Sequence, residues 1–191
     1  MPTRSKDSIE EAASSAISTV QWVPSGMKAV RKAFDEYREV YRRTKPDGRK
    51  PHIGLMREIY VAESDEQARG EGEYHWKNFW ERRGGARTYG AHGSTGLSTI
   101  LDGGRRHELM DMEHSIAEGS FICGSPETVV GQIQKIATEA GADTFLGEFT
   151  FGQLTQTQAL KSLGLFAERV MPELKSFEID ALDFSKAEAE T

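Results

Sequence analysis

A chain of 191 residues, 37% hydrophobic and 28% charged, has the composition of an ordinary globular domain, which excludes disorder throughout its length. Lys plus Arg number 24 against 30 Asp plus Glu, a net charge of −6, and no basic run is interleaved with aromatics, so nucleic acid is a poor partner. The opening MPTRSKDSIEEAA lacks a signal-peptide core and no apolar run approaches the roughly 18 residues of a spanning helix, so the reading is a cytoplasmic protein with no membrane partner.

The first element is RSKDSIEEAA (Arg4 to Ala13), a helix with serines at positions 5 and 8 of its start. Asp7 or Ser8 can cap it, and Glu10 and Glu11 follow. Arg4, Ser5 and Ser8 together can also hold an anionic group, through two hydroxyls, backbone N–H groups and a guanidinium. STVQWV (Ser18 to Val23) is short, rich in β-formers and bounded by Pro24-Ser25-Gly26, which predicts a strand. Trp22 ends it, as a core or interface residue or as the lining of a planar cofactor. Met27, Val30, Phe34, Tyr37 and Tyr41 recur at helical spacing and predict a helix from about Met27 to Arg43, closed by the turn Lys45-Pro46-Asp47-Gly48.

HIGLMREIYVA (His52 to Ala62) reads as a longer strand, and Ser64-Asp65-Glu66 caps a helix over Glu66 to Arg82. Glycines at 84, 85, 90, 93, 96, 103 and 104 make the next stretch a loop, with a short helix around His107 to Ala117. GGARTYGAHGSTG (Gly84 to Gly96) lacks both GxGxxG after a strand and GK[ST]; it is a surface connection or a mobile lid over a site. His107 and His114 lie seven residues apart, about 10 Å along a helix, too far for one zinc, so no metal site is expected. Cys123 is the sole cysteine, which excludes an intrachain disulfide and suits a small buried thiol.

SFICG suggests a further strand. In GSPETVVGQI (Gly124 to Ile133) Ser125 caps, Pro126 sits where no N–H is needed and Glu127 faces the positive helix end. Those features explain the stretch as a helix start without a phosphate. The helix it opens runs to Ala140 and Gly141, ADTFLGEFTF (Ala142 to Phe151) is a strand, and Leu160, Leu163, Phe166, Ala167, Val170 and Leu174 mark a last helix. A charged tail follows from Lys175, partly disordered in expectation. Strands alternating with long helices predict an α/β fold with a parallel sheet.

YVAESDEQAR (Tyr60 to Arg69), GSPETVVGQIQKIATEAGADTF (Gly124 to Phe145) and SLGLFAERVMPEL (Ser162 to Leu174), in that order, resemble the C-terminal half of bacterial luciferase-like flavin-dependent monooxygenases. The resemblance implies the C-terminal half of a TIM (β/α)8 barrel over residues 1–175, with a variable insertion or lid at 84–120 between the last two strands and a charged tail at 176–191. It implies reduced FMN, or the deazaflavin F420 in some relatives, O2 and a small organic substrate, with a flavin reductase as a partner. RSKDSIEEAA resembles the segment after the family's fifth strand, where a serine and a hydroxyl residue three positions on bind the FMN phosphate; here those positions are Ser5 and Ser8, beside Arg4. Trp22 falls near the end of the sixth strand, where the family lines the flavin ring. Catalytic groups of the family would lie before Met1, so no catalytic residue is assigned. The resemblance also admits a non-catalytic half-barrel subunit, with exposed sheet edges and hence a homo- or hetero-oligomer.

Overall fold

The computed structural model describes residues 5–22, 26–85 and 108–183. Its elements alternate: α1 (Lys6–Ser14), β1 (Thr19–Trp22), α2 (Met27–Thr44), β2 (Ile53–Val61), α3 (Asp65–Gly85), α4 (Met112–Ala117), β3 (Phe121–Gly124), α5 (Pro126–Ala140), β4 (Thr144–Glu148) and α6 (Gln156–Leu165). A π-helical turn (Phe166–Val170) and α7 (Met171–Leu174) complete them.

All four strands are parallel, with β2 at the centre. β1 pairs with its first half, Thr19↔Ile53 to Trp22↔Met56, and β3 takes over with Glu58↔Phe121 to Val61↔Gly124. β4 runs along the other side, from Gly54↔Thr144 to Glu58↔Glu148. Strand SFICG is therefore a full member of the sheet.

Each face of β2 meets a different core. Ile53, Leu55, Ile59 and Val61 point to α2 and α5, whose Val30, Phe34, Tyr37, Val40 and Val129, Ile133, Ile136 recur at three- and four-residue steps. Tyr60 points the other way, into an aromatic cluster of Trp76, Phe79 and Trp80 from α3 with Phe121 and Phe151. Trp76 stacks on Phe121 with ring centres 4.2 Å apart and meets Trp80 edge-on at 5.5 Å.

Arg57 shares parity with the α2-facing residues yet is fully buried. Its guanidinium donates to the carbonyls of Gly119 at 2.7 Å, Met56 at 2.8 Å and Gln21 at 3.3 Å, tying β1, β2 and the end of α4. Burial pushes its pKa down to about 10, which leaves it charged at neutral pH.

Two sequence expectations change. The last helix is broken, because Pro172 has no N–H for the carbonyl four residues back; Met171 N–H reaches Phe166 instead, in a π turn. The last strand ends at Glu148, short of Phe151. The charged tail is docked as far as residue 183, where Ala181 is fully buried and Arg38 and Arg42 donate to the carbonyls of Ala181 and Leu182 at 2.6 and 2.9 Å; its remaining residues, 184–191, lie outside the described residues. The Gly84–Gly96 lid expectation falls largely outside the described residues, as does His107.

Candidate functional site

Ser5 is the N-cap of α1, and its Oγ accepts from Ser8 N–H at 3.2 Å. Ser8 Oγ in turn accepts from Ser5 N–H at 3.1 Å, so the two close a reciprocal capping box. The hydroxyls lie 3.1 Å apart, Ser5 exposed and Ser8 half-buried, at a helix start whose first intrahelical bond is Ile9 N–H to Ser5 carbonyl at 3.0 Å. The N–H groups of Lys6 and Asp7 precede that bond and point out of the helix end. Arg4, the third residue of the expected cluster, lies outside the described residues.

Nine helical residues descend about 13 Å and four strand residues climb about 13 Å, so α1 and β1 bring Ser5 and Trp22 to the same end of the sheet. That end is where the strands finish, the side on which open α/β sheets bind ligands.

Trp22 is half-buried and shares a face with Met56, its partner in register. Its indole Nε1 donates to Glu58 Oε1 at 3.2 Å. Glu58 is 2% exposed and stands in register between Phe121 and Glu148. Sequence reasoning missed Glu58, because an acid within the run LMREIYV carries no motif; the alternation of β2 faces, which sets residue 58 beside residue 56, is the signal that could have found it.

Further along the same face, the Tyr60 hydroxyl donates to Glu71 Oε2 and Gln67 Nε2 donates to Glu71 Oε1 at 2.7 Å. The Tyr60 hydroxyl holds the Glu71 carboxyl below the usual range, while burial and that carboxylate push the phenol up. His75, two turns on from Gln67, lies 3.5 Å from Gln158 of α6, and burial lowers its pKa. This cluster ties α3 to β2 and α6; it stands apart from Ser5.

The GSPETV helix start is filled by the protein itself. Ser125 Oγ accepts from Thr128 N–H at 3.3 Å, and Asp65 accepts from Ser125 N–H at 2.7 Å and from the Thr128 hydroxyl at 2.9 Å. An anion does sit at this helix end, and it is a carboxylate of the chain. A Cβ at Gly124 would lie 2.8 Å from Asp65 Oδ1, so the glycine permits the approach. Cys123 is buried with Sγ donating to Ala68 carbonyl at 3.4 Å, and burial pushes the thiol up to about 12, an inert group. Among the described residues no cluster of three His, Cys, Asp or Glu could hold a metal, and no helix is long and apolar enough to cross a membrane.

No curated protein sequence matches the chain significantly. Among solved structures, monooxygenase RslO1 from Streptomyces bottropensis superposes with a TM-score of 0.63 at 20% identity, covering 90% of this chain and 46% of its own. The FMN-bound oxygenating constituent of 3,6-diketocamphane monooxygenase, from the CAM plasmid of Pseudomonas putida, gives 0.56 at 19%, covering 87% and 45%. The coenzyme F420-dependent tetrahydromethanopterin reductase of Methanopyrus kandleri gives 0.56 at 16%, covering 90% and 49%. The chain thus spans about half the length of these similar structures. The luciferase-like monooxygenase family profile matches residues 3–144, close to three quarters of the sequence, and the chain belongs to that family.

Proposed function

We propose that this chain is the flavin-phosphate-binding half of an FMN-dependent monooxygenase barrel. The observation that carries the proposal is the hydroxyl pair Ser5–Ser8 at a helix N-terminus, set at the same end of the sheet as a half-buried tryptophan. A dianionic phosphate suits that helix end: two outward N–H groups, two hydroxyls and the positive end of the macrodipole converge there, with Lys6 beside them. Ser5 and Ser8 would hold the phosphate, with Arg4 as the guanidinium, and Trp22 would line the planar ring. Bound there, reduced flavin supplies the electrons that let O2 give one oxygen atom to an organic substrate. The chain's share is to fix the phosphate, present the indole and exclude water at the strand ends.

The half-barrel architecture is supported by superposition over 87–90% of this chain against 45–49% of the larger structures, and the insertion at 84–120 is part of the same reading. Completion by a first half, a flavin reductase as electron donor and a cytoplasmic location belong to the same reading. Titration of the native protein with FMN, followed by quenching of flavin fluorescence, tests it. Ser5→Ala with Ser8→Ala should weaken binding about tenfold or more, as loss of charge-assisted hydrogen bonds does. Unchanged affinity removes the serines from the site. Tighter binding of F420 than of FMN in the same titration would move the protein to the deazaflavin branch, which the F420-dependent neighbour supports. A second reading, a non-catalytic half-barrel subunit, draws on the same half-length coverage, and oxygen uptake with reduced flavin in an intact assembly would end it.

A further inference from the structure

We propose that Glu58 is the positioning residue of the cofactor site: its carboxylate holds the Trp22 indole in the orientation that meets the flavin ring. The inference rests on the reading above that Trp22 lines that ring.

Three observations support it. First, Trp22 pairs in register with Met56, and Glu58 lies two residues further along β2 on the same face, about 6.6 Å nearer the C-terminal end of the strand. The bond from its Nε1 to Glu58 Oε1 at 3.2 Å therefore crosses a diagonal between β1 and β2, and its far end lies toward the end at which Ser5 stands. Second, Glu58 is 2% exposed. A carboxylate buried to that degree is itself fixed, between Phe121 of β3 and Glu148 of β4, so it makes a rigid anchor. Third, the chain treats Trp22 differently from its other two tryptophans. Trp76 and Trp80 are packed in the aromatic cluster, and neither indole nitrogen has a hydrogen-bond partner among the described residues. The indole that keeps part of its ring exposed is the one tied by a carboxylate. Among the described residues, Trp76 and Trp80 are held by packing without such a tie. A ring that must meet a ligand in one orientation does demand it.

The test uses the native protein with Glu58→Gln, Glu58→Ala, Trp22→Ala and the Trp22→Ala/Glu58→Ala double variant. Glutamine keeps an oxygen acceptor and the volume of the side chain, so it guards against a trivial folding failure of the alanine. The first readout needs no activity: each of the three indole N–H groups gives a proton–nitrogen NMR signal, and the one lost in Trp22→Ala is assigned. We expect Glu58→Ala to move that signal upfield and to speed its exchange with solvent, Glu58→Gln to leave it near its place, and the Trp76 and Trp80 signals to stay put. The second readout is FMN affinity. Trp22→Ala should weaken it about tenfold, in the range of aromatic stacking, Glu58→Ala about fivefold, in the range of one hydrogen bond, and Glu58→Gln by less than about twofold. The double variant should be no weaker than Trp22→Ala alone, because Glu58 acts through the indole.

If Glu58→Ala weakens FMN binding further in the Trp22→Ala background, Glu58 acts on the flavin by another route and the inference falls while Trp22 keeps its place. If Glu58→Gln loses as much as Glu58→Ala, charge and not the acceptor matters, and the inference again falls. If Trp22→Ala leaves FMN affinity unchanged, the ring-lining reading of Trp22 fails and takes the positioning role with it.

Discussion

At the scale of single residues, burial and partners separate groups that the sequence presents as equals. Cys123 has the composition of a reactive thiol and the surroundings of an inert one: buried, bonded to Ala68 carbonyl and pushed up to about 12. Iodoacetamide at pH 8 should therefore leave the folded protein unmodified and label it fully in denaturant; rapid labelling of the native state, read by intact mass, would contradict the burial. The sequence named Ser5, Ser8 and Trp22 because they resemble family positions in sequence order. It passed over Glu58, whose meaning comes from a neighbour 36 residues away across the sheet. Side chains whose partners are local are legible in one dimension; those defined by strand register are not, until the register is known.

At the scale of elements, caps and turns decide where helices start and stop. Asp65 serves two helix N-termini at once, in the first turn of α3 and against the Ser125 N–H and Thr128 hydroxyl at the start of α5. Asp65→Ala should destabilise the fold by about 1–2 kcal/mol, the usual range for loss of an N-terminal cap, measured as a lower urea midpoint with unchanged slope. The Ser125 N–H and, less strongly, the Thr128 hydroxyl hold the Asp65 carboxyl below its ordinary 3.8. A depressed folded-state pKa contributes stability that is complete above the unfolded value, near 4, and is lost as pH falls through the folded value. The difference between native and Asp65→Ala midpoints should thus be constant from pH 8 to 5 and shrink only below about 4. A difference that already closes at pH 6 would mean another group is responsible.

The elements also show which sequence signals carried. Ser125, Pro126 and Gly141, in left-handed conformation at φ 65°, bound α5 at the residues the cap pattern indicates. The apolar stripe of residues 160–174 did not reveal its own interruption, since periodicity records which face is buried and says nothing of the missing N–H at Pro172. Within the π turn that precedes Pro172, Arg169 bridges Glu63 and Glu127 at 3.0 Å each, linking the end of β2 to the first turn of α5. These contacts are solvent-exposed and individually weak.

At the scale of the whole molecule, the sheet is covered unequally. One face is sealed by α2 and α5, while on the other Leu146 is 42% exposed and Met56 and Trp22 are half-buried. Under the half-barrel reading that face is the barrel interior and β1 and β4 are strands awaiting neighbours. The 191-residue polypeptide by itself should then self-associate, seen by sedimentation velocity as species above 21.3 kDa, and should bind hydrophobic dyes. A monodisperse monomer that ignores such dyes would defeat the half-barrel reading. The alternation of strand and helix was enough to read an α/β fold with parallel pairing from the sequence. The pairing of β2 with three strands was not, because β3 follows the 84–120 stretch, in which periodicity fades.

The seating of residues 180–183 has a consequence for the order in which the chain is made. Arg38 is buried, and one of its acceptors, the carbonyl of Ala181, follows it by 143 residues. Others, the carbonyls of Ala140 and Gly141, follow it by 102 and 103. A ribosome delivers α2 long before any of these carbonyls, so at first the guanidinium is served by Asp35 of its own helix, at 2.9 Å, and by water, and α2 finishes docking as the carbonyls emerge. In vectorial synthesis α2 therefore gains its last lock only when residue 181 emerges: a nascent chain halted between residues 141 and 181 has Asp35 and the Ala140 and Gly141 carbonyls on the guanidinium but lacks the Ala181 acceptor at Nε.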